Sequence, residues 1–202
     1  MLDLVRTLLF PPACAACDAP GPALCAACAP PPRDGRAFSV DGVTGFALGP
    51  YEGALRRAIV AMKHGERDPL DAFADLLAAR ATIDGTLVPL PTSRDRARNR
   101  GFDQAVELAR RLAGRRNVPY AHVLQKQRGP QAGLNRQDRL ASVNRFQIRA
   151  VTLPAAVTLL DDVCTTATTL RDAIGVLRAR GVDVRRFIVL AQTPSPPLLK
   201  NV

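Results

Sequence analysis

Apolar residues recur along this chain with two alternating periods. VTGFALG (43–49), TLVPL (86–90), AAVTLL (155–160) and RFIVLAQ (186–192) have the length and near-continuous hydrophobicity of buried strands. PYAHVLQ (119–125) suggests another strand. Between these runs the apolar positions fall three and four apart. Leu55, Ile59 and Met62 mark a helix over 51–63, and Leu70, Phe73 and Leu77 a second over 70–83. Phe102, Val106, Ala109 and Leu112 mark a third over 102–113, and a fourth spans 169–180, stopped by Gly181. Strands alternating with helices predict an α/β fold with a mostly parallel sheet flanked by helices. Ligands in such sheets sit beyond the carboxyl ends of the strands. Two unusual stretches lie directly after strands: the basic PTSRDRARNRG (91–101), read as a loop, and DDVCTTATT (161–169). They are expected to be neighbours in space.

At 202 residues and 47% hydrophobic content the chain can bury a real core. No apolar run approaches the roughly 20 residues of a membrane span. The N-terminal MLDLVRTLLFPPAC is broken by Arg6 and two prolines, which predicts a cytoplasmic protein rather than a secreted one. The net charge is +10, and its placement is uneven. Residues 91–149 hold 14 of the 28 Lys/Arg but only 4 of the 18 Asp/Glu, so this stretch carries the whole excess. A solubilising surface would scatter its charge. Concentration favours a site for polyanions such as phosphates or nucleic acid.

Four of the five cysteines lie in CAACDAPGPALCAAC, where Cys14-x2-Cys17 and Cys25-x2-Cys28 are separated by seven residues. Two CxxC pairs on a Pro/Gly-rich turn suit tetrahedral Zn²⁺ with four thiolates. Disulfides are disfavoured in a cytosolic chain, and a thioredoxin-like site would use one CxxC in a βαβ setting. With all four ligands supplied by cysteine, no position stays open, so the zinc is structural. Residues 1–36 are accordingly read as an N-terminal helix and zinc module ending in the linker PPRDGR (31–36), and residues 37–202 as the main domain.

In LLDDVCTTATTL (159–170) two carboxylates end an apolar run and precede four threonines. The helix start after the strand favours an anion. Thr165, Thr166, Thr168 and Thr169 add hydroxyl donors, a combination that suits a phosphate monoester. Asp161 and Asp162 repel a phosphate but can accept hydrogen bonds from a sugar diol and help hold Mg²⁺. Phosphate and diol together describe a ribose 5-phosphate. The strand imitates the metal-binding strand of a P-loop ATPase, but no GxxxxGK[ST] occurs in the sequence. Simple capping by Asp and Thr would not call for two acids and four threonines. His64, His122 and Cys164 are read as packing or surface residues.

LLDDVCTTATTL resembles the phosphoribosyl-pyrophosphate (PRPP) signature of type I phosphoribosyltransferases. The chain as a whole is similar to the ComF/ComFC (GntX-like) branch, which is associated with competence and DNA uptake. The resemblance rests on the four-cysteine module, Lys63-His64-Gly65, VPLP (88–91), Arg100-Gly101-Phe102-Asp103-Gln104, and Gln131, Leu134 and Arg139. Ala167 stands where that loop usually has glycine, Asp103 where the motif usually has Asn, and Ser142 at a frequent Asn position.

The resemblance implies a type I phosphoribosyltransferase-like fold behind the zinc module. It implies that Thr165, Thr166, Ala167, Thr168 and Thr169 hold the 5-phosphate, and Asp161 and Asp162 the ribose with Mg²⁺. Thr92, Ser93 and Arg94 would face pyrophosphate with Arg100 in support, Lys63 would contribute to the PRPP site, and the 125–139 loop would close over it. Asp161, Asp162, Arg94 and Arg100 are the candidates for catalysis, because loss of pyrophosphate needs positioning and charge stabilisation. Two functions follow. One is Mg²⁺-dependent PRPP binding, with phosphoribosyl transfer to an acceptor the sequence does not name. The other is a competence accessory that binds single-stranded DNA through 91–149 and engages competence proteins, with PRPP as regulator or the pocket as relic. Aromatics at 4% make any DNA contact mainly electrostatic.

Overall fold

A computed structural model of the chain describes residues 12–126, 146–149 and 151–193. The elements are β1 (Arg36–Val40), β2 (Val43–Pro50), α1 (Gly53–Lys63), α2 (Asp68–Arg80), β3 (Thr86–Pro89), α3 (Arg94–Arg100), α4 (Gln104–Arg116), β4 (Leu124–Lys126), β5 (Phe146–Ile148), β6 (Ala156–Cys164), α5 (Thr168–Arg178) and β7 (Asp183–Gln192). Five strands form one sheet in the order β1-β2-β7-β6-β3, and β4 and β5 form a separate antiparallel pair. Within the large sheet β2, β7, β6 and β3 run parallel, and only the edge strand β1 is antiparallel. This is the mostly parallel α/β architecture expected from the sequence.

Helices cover both sheet faces, which explains why the central strands read as continuous apolar runs. Along β7, Ile188 and Leu190 enter one buried cluster with α1, α2 and α4, while Phe187 and Val189 enter another with α5. Each major helix buries residues at i, i+3, i+4 and i+7: Leu55/Ala58/Ile59/Met62, Leu70/Phe73/Ala74/Leu77, Ala105/Leu108/Ala109/Leu112 and Leu170/Ala173/Ile174/Leu177. For α4 this differs from the predicted face, since Phe102 precedes the helix and Val106 is only half-buried.

Several elements depart from the sequence expectations. The predicted linker over 31–36 contains a 3-10 turn (Pro32–Asp34) and runs into β1. Asp41 and Gly42, both at positive φ, close the β1–β2 hairpin in the way two-residue hairpin turns require. The basic stretch 91–101 is not a loop but contains α3, capped by Ser93, whose Oγ accepts from the Arg96 N–H at 3.4 Å. The strand expected over 119–125 shrinks to β4 and an isolated bridge between Leu87 and Tyr120. Most of the predicted N-terminal helix, residues 127–139 of the basic loop and Ser142 lie outside the described residues.

Candidate functional site

The N-terminal cysteines converge as their spacing predicts. Sγ atoms of Cys14, Cys17, Cys25 and Cys28 all lie within 4.8 Å of one another, and Cys17 and Cys25 are 3.8 Å apart. Tetrahedral Zn–S bonds of about 2.3 Å require S···S separations of about 3.8 Å, so the set fits zinc. Burial raises the Cys14 thiol, but N–H groups of Cys25, Ala16 and Cys17 outweigh it and bring it down to about 6. Burial and the neighbouring thiols push Cys28 up to about 12. Four thiolates this close would repel one another strongly, a cost that a bound cation offsets. The module is fastened to the main domain, because Arg57 Nε donates to the Ala16 carbonyl at 2.6 Å and Arg80 Nη1 to the Pro30 carbonyl at 2.7 Å.

At the carboxyl ends of β3 and β6 lies a cavity of about 150 Å³. Because β3 pairs directly with β6, the chain segments that follow both strands meet there. Its wall carries Asp161 and Asp162 from β6, Lys63 from the end of α1, Thr92 after β3, Arg96 and Arg100 from α3, Gln104 from α4, Lys126 from β4 and Thr169 from α5. Arg94 and Ser93 begin α3 and are not part of this wall, and neither are Thr165, Thr166, Ala167 and Thr168, which form the turn into α5. The sequence-predicted carboxylates, Lys63, Thr92, Arg100 and Thr169 are thus brought together.

The two acids differ in environment. Asp162 pairs with Lys63 at 3.0 Å and accepts the Val163 N–H at 2.7 Å. This pair is partly open to solvent and contributes about 1 kcal/mol or less. Asp161 accepts the Asp162 N–H at 2.8 Å. Although part of its surface faces the cavity, it is densely surrounded, and burial followed by the charge of Asp162 pushes it well above the usual carboxylate range. A buried acid beside a second acid is a costly arrangement that a cation or a donor-rich ligand would relieve.

The turn into α5 carries a second strain. Ala167 sits at φ 59°, ψ 1°, in the left-handed region where glycine is at ease. Thr166 and Thr168 hydroxyls are 3.0 Å apart, and Arg171 Nη1 donates to the Thr166 carbonyl at 3.1 Å while its Nε reaches Asp41 at 3.3 Å. Arg171 therefore clasps the threonine turn to the β1–β2 hairpin. Ala167→Gly is expected to stabilise the chain by up to about 1 kcal/mol, the left-handed penalty less the entropy of glycine. Ala167→Val should destabilise it, because branching at Cβ worsens the same clash. Urea unfolding of the three proteins checks the order Gly, Ala, Val.

Residues to which the sequence assigned no role also shape the site. Asp103 caps α4, accepting from the Val106 N–H at 3.2 Å and from the Thr92 N–H at 2.7 Å, so it ties the segment after β3 to the helix. Burial raises its acid above the usual range, offset by those N–H donors. Gln104 Oε1 accepts from Arg100 Nη1 at 2.9 Å and holds that guanidinium at the wall. Asp103 and Gln104 were marked only as members of the RGFDQ motif, Arg96 only as part of the basic stretch read as a loop, and Lys126 only as part of the 125–139 loop, although it belongs to β4. The basic surplus is smaller than it reads, because Arg111 pairs with Glu107 and Asp71, and Arg115 with Asp71 and Asp75. Among the described residues, Arg94, Arg96 and Arg98 on α3 are exposed cations close in sequence to the cavity lining. Cys164 is buried, its thiol raised by burial, as expected of a packing residue.

Fold and site together define an α/β protein with a polar, two-signed cavity at its strand ends and a separate cluster of four thiols able to hold a metal ion. Its sequence is similar to that of competence protein ComFC of Streptococcus pneumoniae, 36% identical over 103 residues that cover 50% of this chain and 45% of that one. The aligned part thus spans less than half of that relative, and the ComF-type resemblance read from the motifs is supported over half of this chain. No family model matches. Solved structures that overlap it include orotate phosphoribosyltransferase from Aeropyrum pernix (21% identity, 77% of this chain, 73% of that chain, TM-score 0.42). Another is adenine phosphoribosyltransferase from Leishmania tarentolae (15% identity, 66% of this chain, 74% of that chain, TM-score 0.41). Among the described residues no helix is long and apolar enough to cross a membrane.

Proposed function

We propose that the chain binds PRPP with Mg²⁺ in the cavity between the ends of β3 and β6, and transfers the phosphoribosyl group. The observation that carries this reading is the division of charge across one small space. Asp161 and Asp162 lie at the end of β6, ahead of the threonine turn into α5, and Arg96 and Arg100 come from α3, which follows β3. A ligand that carries both a diol and phosphate groups matches that mixture of acceptors and cationic donors. The carboxylates are hard oxygen donors that fit Mg²⁺, with Asp161 the better placed because Lys63 already neutralises Asp162. Bound there, Mg²⁺ would neutralise charge on pyrophosphate. The protein's own part is to position the sugar through Asp161 and Asp162 and to clamp the departing anion through Arg96 and Arg100. Calorimetric titration with PRPP, with and without Mg²⁺, tests the reading; absence of Mg²⁺-dependent heat would sink it.

A second reading is favoured by the exposed arginines of α3 and by the competence protein among the relatives. In this reading the same helix holds single-stranded DNA by its phosphates. Arg96 belongs to the cavity wall, so the informative pair is Arg94 and Arg98, which do not. Replacing both with Ala should flatten the log–log salt dependence of DNA affinity by about 1.4, at about 0.7 for each phosphate no longer neutralised, and leave PRPP affinity unchanged. Saturating Mg²⁺–PRPP should weaken DNA binding, since Arg96 and Arg100 serve both ligands. Fluorescence anisotropy at several salt concentrations reads both effects. An unchanged slope together with indifference to PRPP would remove DNA from this surface.

A further inference from the structure

Gln104 is 2% exposed, and its Nε2 is a buried side-chain nitrogen with no hydrogen-bond partner, the one such atom among the described residues. The amide orientation is set from its other end, because Oε1 accepts from Arg100 Nη1 at 2.9 Å. A buried donor left unpaired is costly, and proteins rarely retain one without use. Gln104 lines the same cavity as Arg100, Thr92 and the two aspartates.

We propose that Gln104 is a ligand-binding residue whose Nε2–H donates to a non-bridging oxygen of a pyrophosphate group in this cavity, while its Oε1 holds Arg100 beside the same group. The proposal rests on the PRPP reading for its preferred ligand and extends it to a residue that selects the pyrophosphate end. Two features of the site favour an anionic oxygen as the acceptor. Arg96 and Arg100 bring positive charge to the same wall, and Thr92 lies within the same segment, tied in place by Asp103. A neutral amide held beside the Arg100 guanidinium adds a directional donor without further like-charge repulsion. Binding would then relieve in the complex a cost that the free chain carries.

The test compares wild type, Gln104→Glu and Gln104→Met by calorimetry with three probes: Mg²⁺–PRPP, Mg²⁺–pyrophosphate and ribose 5-phosphate. Gln104→Glu keeps an acceptor for Arg100 and reverses only the donor end. It should weaken PRPP and pyrophosphate by about tenfold or more, the scale of a hydrogen bond to a charged group, and leave ribose 5-phosphate within about twofold. Gln104→Met should show the same split. Its melting temperature should equal or exceed that of wild type, because the orphan donor is gone. A merely structural glutamine would lower stability and weaken all three probes alike, and that result overturns the proposal. Unchanged pyrophosphate affinity in Gln104→Glu overturns it too. If wild type binds pyrophosphate through Gln104 but ignores PRPP, this donor stands and the phosphoribosyl reading falls. If wild type binds none of the three, both fall.

Discussion

Cys25→Ser is expected to release one zinc per chain and to lower the melting temperature by roughly 4–20 °C. Cys25 is only half-buried, so the substitution removes a ligand with little loss of packing. The effect on the whole domain arises because the module is part of its core. Cys14, Ala16, Leu24 and Cys28 belong to the same buried cluster as α1, α2 and α4. Losing the metal frees the module, and exposing Leu24 and its neighbours forfeits about 2–5 kcal/mol of apolar burial. For a chain of this size each kcal/mol moves the midpoint by about 2–4 °C. Metal uptake also has a pH signature. The Cys28 thiol, held at about 12, must lose its proton to ligate, so binding releases protons and weakens on acidification. Native mass spectrometry gives the stoichiometry, and a melting curve with and without chelator gives the stability. Zinc-free protein that melts where the holo-protein does would show the module to be independent of the fold.

The helices and central strands were legible because burial writes its period directly into sequence. Among the described residues the four long helices each present one apolar face, and the parallel strands are apolar on both sides. What was missed has no such period. Helix α3 (RDRARNR) buries nothing, and only its end signals, Ser93 as N-cap and Gly101 at positive φ as C-cap, distinguish it from a loop. Strand β1 lies at the sheet edge with alternate exposure, and its signal was the Asp41-Gly42 turn. Site residues separate the same way. The cysteines and the Asp161-Asp162 pair are local patterns, and they were readable. The Arg171–Asp41 clasp joins residues 130 positions apart, and the pairing of α4 arginines with α2 acids depends on two helices packing together. Charge counted along a sequence cannot anticipate such compensation, which is why residues 91–149 look more available to polyanions than they are.

Asp161→Asn should separate stability from binding in opposite directions. In the free chain the raised Asp161 acid means that the folded state holds its proton more tightly than the unfolded state does. Stability from this group is therefore present at low pH and lost as pH rises from the usual carboxylate range through the raised folded value. At neutral pH, where the unfolded side chain is ionised, burial next to Asp162 makes this group a net cost to the fold. Asparagine keeps the shape and an oxygen to accept the Asp162 N–H, without the charge, so the unliganded variant should melt higher than wild type. Binding should change the other way. With PRPP and Mg²⁺ at about 100-fold over Kd, wild type gains about 2.7 kcal/mol, a rise of roughly 5–11 °C. Asp161→Asn removes the charge that the sugar hydroxyls and the cation would meet and should erase that rise. Thr166→Val, on an exposed turn, should leave the unliganded melting point near wild type and lose the ligand-induced rise through the missing hydroxyl. Thermal melts of the three proteins with and without Mg²⁺–PRPP are sufficient. A full ligand-induced rise in both variants would place the ligand elsewhere, and a lower melting point for unliganded Asp161→Asn would mean that the carboxylate is stabilised in the fold by a contact stronger than its repulsion.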